Sequence, residues 1–157
     1  VEQLHALVRQ IQALNRRLLI WHRQDQASQR LATIPGVGVI SATALAASVT
    51  DPGAFRSGRE FSASLGLVPR QNSSGGKDRL GRISKMGDRY LRKLLVVGAT
   101  SVVRRARTAD TTAANWIRGL LERKPARLVT VAMANKTARI VWAVLARGET
   151  YRSPAAI

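Results

Sequence analysis

The sequence predicts a mainly α-helical protein, in which a coiled-coil-type helix over residues 1–30 precedes a compact helical domain over residues 31–157. Apolar residues recur at helical spacing along most of the chain, Gly and Pro interrupt that spacing at a few places, and strand signals are nearly absent. A loop or small hairpin is expected only in the basic, Gly-rich segment, because Gly81 lies between Leu80 and Ile83.

The N-terminal helix is indicated by a heptad-like seam of apolar residues. Its members are Leu4, Leu7, Ile11, Leu14, Leu18 and Trp21. Their spacing alternates between three and four residues, which places them on one helix face, whereas Arg9 and Gln12 fall off it. Two interpretations are open: the seam packs on its own domain, or it is one strand of a coiled coil. That coiled coil would form in a homo-oligomer, a dimer or higher, or with a partner helix that is missing from this chain. Because the chain opens at Val1 inside this pattern, we expect a piece of a longer protein.

The segment LATIPGVGVISATALAASV, residues 31–49, is similar to a helix-hairpin-helix DNA-binding motif. Gly36 and Gly38 would let the backbone turn tightly and approach a phosphate, toward which the first amides of the second helix would point. The apolar residues expected to pack the two helices together are Leu31, Ile34, Val37, Ile40 and Leu45. The alternative is an ordinary joint between helices, which Pro and Gly also favour.

Capping and breaking residues delimit the remaining helices. Ser57 and Glu60 predict a capping box at the start of the first of them. The predicted helices are Gly58 to about Leu65, Gly87 to about Arg107, a stretch around Trp116 to Leu121, and a last helix from Pro125 to a cap at Gly148.

The segment from Arg70 to Lys93 is strongly basic and contains only two acidic residues, Asp78 and Asp88. Its cations are the predicted nucleic-acid contacts: Arg70, Lys77, Arg79, Arg82, Lys85, Arg89, Arg92 and Lys93. The last three stand at the start of a helix, where cations oppose the helix dipole. A bound polyanion would remove that conflict.

An uncharged island, Ser73-Ser74-Gly75-Gly76, lies inside this basic segment. A flexible linker is one interpretation. The other is a serine that attacks a phosphodiester, since the surrounding cations would stabilise the charge of the transition state and the glycines would allow close approach. No general base is evident, and the nine acidic residues are scattered, so no metal site is expected in this chain.

Composition narrows the class of function. Twenty-six Lys and Arg residues against nine Asp and Glu residues give a net charge of +17, for which nucleic acid is the default partner and an anionic membrane surface the weaker one. The chain has no cysteine and two histidines, which excludes a disulfide framework and a thiolate metal site. No secretory signal or membrane-spanning run is apparent, so a cytoplasmic, nucleoid-associated protein is expected.

Three stretches, taken in order, carry a more specific resemblance: IPGVGVISATALAA, ASLGLVPRQNSSGGKDRLGRISKMGDRYLRKLL and MANKTARIVWAVLARG. Together they resemble the C-terminal transposase domain of the IS110 insertion-sequence family, most of all its IS1111 branch, to which the Piv-type DNA invertases are related. The resemblance covers nearly the whole chain.

That resemblance implies features beyond the residues themselves. Family members carry an N-terminal RuvC-like domain whose acidic tetrad binds metal, expected to be Mg²⁺, and a coiled coil joins it to the domain seen here. A bridge-type guide RNA selects target and donor DNA. The C-terminal domain supplies a serine nucleophile that becomes covalently linked to DNA; Ser74, which precedes a glycine, fits its position, with Ser73 as the alternative. Because the tetrad is missing here, we expect this fragment alone to be inactive.

The leading interpretation is therefore part of a DNA transposase that supplies a serine for strand cleavage and exchange. A non-catalytic helix-hairpin-helix module that binds DNA is the first alternative. A structural protein that binds RNA through its charge is the second.

Overall fold

The computed structural model describes residues 1–71 and 80–153, which form a mainly helical structure with one small sheet. In chain order the elements are α1 (Glu2–Gln24), α2 (Gln26–Leu31), α3 (Val39–Ser48), a 3₁₀ turn (Pro52–Ala54), α4 (Gly58–Ser64), β1 (Pro69–Gln71), β2 (Leu80–Ile83), α5 (Arg89–Arg105), α6 (Thr112–Leu121) and α7 (Ala126–Arg147). The predicted fold class is confirmed.

Short polar side chains begin four of the helices, and each accepts a hydrogen bond from an amide of the first turn, a contribution of about 1 kcal/mol per cap. The caps are Asp25 for α2, Ser57 for α4, Asp88 for α5 and Thr111 for α6. In the predicted capping box of α4, the Glu60 carboxylate accepts from the amide of Arg56, at 2.8 Å. Gly148 ends α7 with φ 64°, as predicted.

Helix α7 runs through the hydrophobic core. Helices α4 and α5 pack along it, and α2 and α6 also contact it. The residues that α7 buries are Val129, Met133, Ala134, Thr137, Ala138, Val141 and Val144. Facing them, α5 buries Leu91, Leu95, Ala99 and Val103. The core thus forms around one long helix near the end of the chain.

By length and composition α7 is apolar enough to cross a membrane, although no such run was expected from the sequence. Part of that apolar character belongs to the core, since Val129 and Val141 are almost fully buried. Another part is exposed, as at Leu128, where 53% of the residue surface is accessible. One such helix packed within a domain is weak evidence for a membrane span.

Strands β1 and β2 form the small antiparallel hairpin that the sequence predicted. Pro69 pairs with Ile83 and Gln71 with Leu80, with an irregularity between the two pairs. Residues 72–79 connect the strands and lie outside the described part of the chain. The register therefore holds the two ends of that segment, Gln71 and Leu80, opposite each other.

The base of the hairpin is fixed to α4 and α5 by tight backbone packing. A Cβ at Gly66 would lie 2.3 Å from the Met86 carbonyl oxygen, and one at Gly87 would lie 1.7 Å from that of Ser64. Both glycines have positive φ, which an L side chain disfavours. Arg92 adds a side-chain clamp, since its Nη1 donates to the carbonyl oxygens of Leu65, at 2.9 Å, and Met86, at 3.2 Å.

Helix α1 contacts α2 and α3 but buries none of its own residues. The seam residues Ile11 and Leu14 remain more than half exposed, at 57% and 56%. Within the described part of the chain, then, these two side chains are not packed in the core of their own domain, whereas Leu18 is half-buried. At the joint with α2, His22 Nδ1 lies 2.7 Å from the buried hydroxyl of Ser28.

Helices α2 and α3 pack against each other largely as the sequence predicted. Leu31, Ile34, Val37 and Leu45 are buried. Ile40 was expected to join them, and that prediction is wrong: it is 50% exposed, because it lies on the side of α3 opposite the buried residues Ala42 and Leu45. The predicted domain boundary after residue 30 falls inside α2, which contacts both α3 and α7.

Candidate nucleic-acid interface

An open groove of about 1550 Å³ lies between the hairpin, the first turn of α4 and one side of α7. We call it the α7 groove. Six cations line it: Arg59, Arg82, Lys85, Arg127, Lys136 and Arg139. No acidic residue is among the described residues of its lining. All six cationic residues are exposed, so their charge is available to an anion that enters the groove.

The walls of the groove are held in place by contacts between distant parts of the sequence. A Cβ at Gly58 would lie 3.0 Å from the Arg139 carbonyl oxygen, which shows how closely α4 approaches α7. Asn135 Nδ2 donates to the carbonyl of Leu67 at 2.9 Å and ties α7 to the segment before β1. These contacts fix the spacing between the cations of the two helices.

Two tryptophans belong to the same groove. Trp142 is half-buried, and its Nε1 donates to the Pro52 carbonyl oxygen at 3.1 Å, which orients the ring. Trp116 is 38% exposed, with Lys136 Nζ 4.2 Å from the centroid of its ring. This is a cation–π contact of ordinary geometry.

The hairpin supplies the predicted contacts that reach the groove. Arg82 and Lys85 line it, and they also form a smaller cleft beside it with Arg70. Arg70 Nη2 donates to the Ser84 carbonyl oxygen at 3.3 Å across the base of the hairpin. The structure thus brings three predicted cations to one edge of the groove.

The predicted cations of α5 do not line the groove. Arg89 and Lys93 are exposed in the first turns of the helix. Arg92 is half-buried and donates to the two backbone carbonyls at the hairpin base, a structural role that the sequence analysis did not foresee. Their contact with nucleic acid stays a prediction.

Four of the predicted site residues lie in the segment 72–79, outside the described residues. They are the candidate nucleophile Ser74, its alternative Ser73, and the cations Lys77 and Arg79. Their roles remain predictions from the sequence and from the family resemblance.

The glycines of the α2–α3 turn differ in what they face. Gly36 has φ 84°, and a Cβ there would lie 2.8 Å from the Gly98 carbonyl oxygen of α5. Its close backbone approach is therefore to α5, which the sequence analysis did not predict. Gly38 begins α3 without a side-chain cap, and a Cβ there would meet nothing within 4 Å. Phosphate binding at this turn stays a prediction.

Sequence reasoning missed Arg59, Arg127, Lys136 and Arg139. The only local signal was on α7, where Lys136 and Arg139 are three residues apart and so share a helix face. Within residues 1–71 and 80–153, no group of three or more His, Asp or Glu side chains lies together in a way that could hold a metal ion.

Comparison with known proteins points to one family. The model of the Transposase IS116/IS110/IS902 family matches residues 28–114, which include most of α2, the α2–α3 turn, the hairpin and α5. The chain is 50% identical over 151 residues to a probable family 20 transposase of Pseudomonas aeruginosa, a match that covers 96% of this chain and 45% of that protein.

Two further relatives agree. A putative transposase of Sinorhizobium fredii, y4pF/y4sB, is 48% identical over 96% of this chain and 39% of its own length. The transposase for insertion sequence element IS1111A of Coxiella burnetii is 44% identical over 83% of this chain and 36% of its own length. The chain spans less than half the length of each of these relatives. It belongs to the IS116/IS110/IS902 family of transposases.

Proposed function

We propose that this chain is the part of a transposase that holds nucleic acid in the α7 groove and attacks it with a serine of the hairpin segment. One observation carries the proposal. The two paired strands that flank residues 72–79 line, through Pro69, Gly81 and Arg82, a groove that has six cations and no acidic residue among its described lining. Phosphate binding next to a serine is the arrangement that phosphodiester cleavage requires.

The proposed nucleophile is Ser74, with Ser73 as the alternative. Its Oγ would form a bond to the phosphorus of a DNA phosphodiester while the bond from phosphorus to one deoxyribose oxygen breaks. Arg82 and Lys85 line the groove and would stabilise the extra negative charge of the transition state. Lys77 and Arg79 would contribute to the same stabilisation.

In the proposed reaction, groups outside the described residues would transfer the protons. The serine hydroxyl must lose a proton, and the departing oxygen must gain one. The family resemblance assigns this activation to a RuvC-like domain with Mg²⁺. We propose that such a domain, in the same or a neighbouring protomer, completes the site.

Other surfaces of the chain would bind the remaining proposed partners, a second copy of the chain and nucleic acid outside the groove. The exposed seam of α1 would pair with the same seam of a second copy and form a coiled coil. The uncapped start of α3 at Gly38 would hold a backbone phosphate, as in a helix-hairpin-helix motif. A bridge-type guide RNA would share the basic surface with DNA, on the bacterial chromosome in the cytoplasm.

Neutralising the groove tests whether it is the binding surface. In the variant with Arg82→Gln and Arg139→Gln, the slope of log affinity for DNA against log salt should fall by about 1.5 to 2, since two phosphate contacts are lost. The matched control neutralises two exposed arginines outside the groove, Arg16→Gln and Arg107→Gln, and should leave the slope nearly unchanged. Equal changes in the two variants would show that charge alone, and not this surface, binds DNA.

A further inference from the structure

We infer that the α7 groove binds unpaired bases, so that its ligand is a single-stranded segment of DNA and not the outside of a duplex. This deepens the proposed function and rests on it. It follows from three properties of the groove: its apolar floor, its aromatic rings, and the distribution of its cations.

The floor of the groove is an apolar side of α7 that borders the core, since Ile140 and Trp142 also pack against core residues. Its members are Leu128, Val131, Ala132, Ile140, Trp142 and Ala143. Leu128 and Ala132 are exposed and the other four are half-buried, and an apolar surface of this kind inside an open groove marks a binding site. The outside of a duplex is phosphate and sugar, with its bases stacked inside, and gains little from such a floor. Unpaired bases expose the apolar faces that match it.

Aromatic rings lie beside the cations. The Lys136 ammonium lies 4.2 Å from the centroid of the Trp116 ring, and the hydrogen bond from Trp142 to the Pro52 carbonyl orients the second ring. A basic groove that tracks the backbone, combined with aromatic side chains on which bases stack, is the way proteins bind single strands without sequence preference. The α7 groove has both parts.

The dimensions and charges favour a strand over a small molecule. At about 1550 Å³ the groove is larger than the roughly 300–1,000 Å³ of ordinary small-molecule pockets, and it is open to solvent. Its cations come from three elements: Arg82 and Lys85 from the hairpin, Arg59 from α4, and three residues from α7. Charges spread over several elements suit successive phosphates of a chain, not one anionic group.

The test compares a labelled single strand of about 12 nucleotides with the duplex that contains the same strand. This length is within the range of site sizes known for grooves that bind single strands. Leu128→Glu places a carboxylate on the apolar floor. The matched control is Val97→Glu, on α5 outside the groove, where the original residue is similarly exposed at 57%. Fluorescence anisotropy with each variant then gives affinities for the single strand and for the duplex.

Leu128→Glu should weaken single-strand binding about tenfold and duplex binding no more than about twofold, while Val97→Glu changes both by the same small factor. Equal losses for the single strand and the duplex in Leu128→Glu would overturn the inference and leave the proposed function intact. If the unmodified chain bound neither form of DNA, the proposed function itself would be wrong, and the inference with it.

A second measurement avoids any variant. A single strand substituted with bromodeoxyuridine should, on irradiation, crosslink to peptides that contain Trp116 or Trp142 in the unmodified chain, as read by mass spectrometry. Crosslinks confined to peptides outside the groove would overturn the inference.

Discussion

Because Gly36 has no side chain, the α2–α3 turn can contact the backbone of α5. Gly36 adopts φ 84°, and its carbonyl oxygen would lie only 2.0 Å from a Cβ at Gly98. Motif reasoning explained Gly36 by the approach of a phosphate, and the fold adds a second reason, the approach of a helix. The two reasons predict different consequences for a substitution, because only the second affects folding.

Gly36→Ala should therefore destabilise the fold by about 2–4 kcal/mol, from positive-φ strain together with overlap on Gly98 and Val102. The contrasting variant is Gly119→Ala in α6, where a Cβ meets nothing within 4 Å; it should stabilise by about 0.5–1 kcal/mol. Urea denaturation measures both free energies of unfolding. A Gly36→Ala protein as stable as the unmodified one would contradict the packing described here.

Arg92 was expected to contact nucleic acid, but in the structure it donates hydrogen bonds to two backbone carbonyls. Arg92→Met leaves two backbone carbonyls at the hairpin base without their donor, so it should cost about 1–3 kcal/mol of stability. Lys93→Met, at the exposed neighbouring position, should change stability by less than about 0.5 kcal/mol. Thermal unfolding followed by circular dichroism separates the two variants, and similar melting temperatures would show that the clamp is unimportant.

At the scale of elements, periodicity and caps predicted the helices and the hairpin, because those signals are local. They could not predict which apolar face of a helix would be buried. Ile40 and Leu128 fit the apolar pattern of their helices but are exposed, since tertiary packing selects the buried side. The groove was also beyond sequence reasoning: Arg59 and Arg139 meet only after α4 packs on α7.

The α1 seam makes a prediction about association. Ile11→Lys with Leu14→Lys places two charges at the centre of the seam, so any oligomer built on it should dissociate to monomer. Gln12→Lys with Ala13→Lys adds comparable positive charge on the opposite side of α1 and should preserve the oligomer. Multi-angle light scattering measures the mass of each. If the unmodified chain is already monomeric at high concentration, the seam is not an interface between copies.

At the scale of the whole molecule, we expect the net charge of +17 to make the proposed nucleic-acid binding depend mainly on phosphate contacts. If all six groove cations contact phosphates, affinity should fall by about a thousandfold between 50 and 200 mM salt, with little preference for DNA sequence. Titrations of labelled DNA at several salt concentrations test this. An affinity that stays flat as salt rises would mean that charge does not drive binding.

Covalent capture of DNA tests most directly whether the hairpin segment performs the chemistry. A full-length transposase that contains this chain, together with the guide RNA proposed for it, would be incubated with labelled DNA, and protein–DNA adducts that survive denaturation would be counted. Ser74→Ala should abolish the adduct while DNA binding stays within about twofold, because a hydroxyl contributes little to phosphate-driven affinity. Ser73→Ala should keep the adduct. Loss of the adduct in Ser73→Ala alone would move the nucleophile by one residue, and adducts in both variants would contradict a serine mechanism at this hairpin.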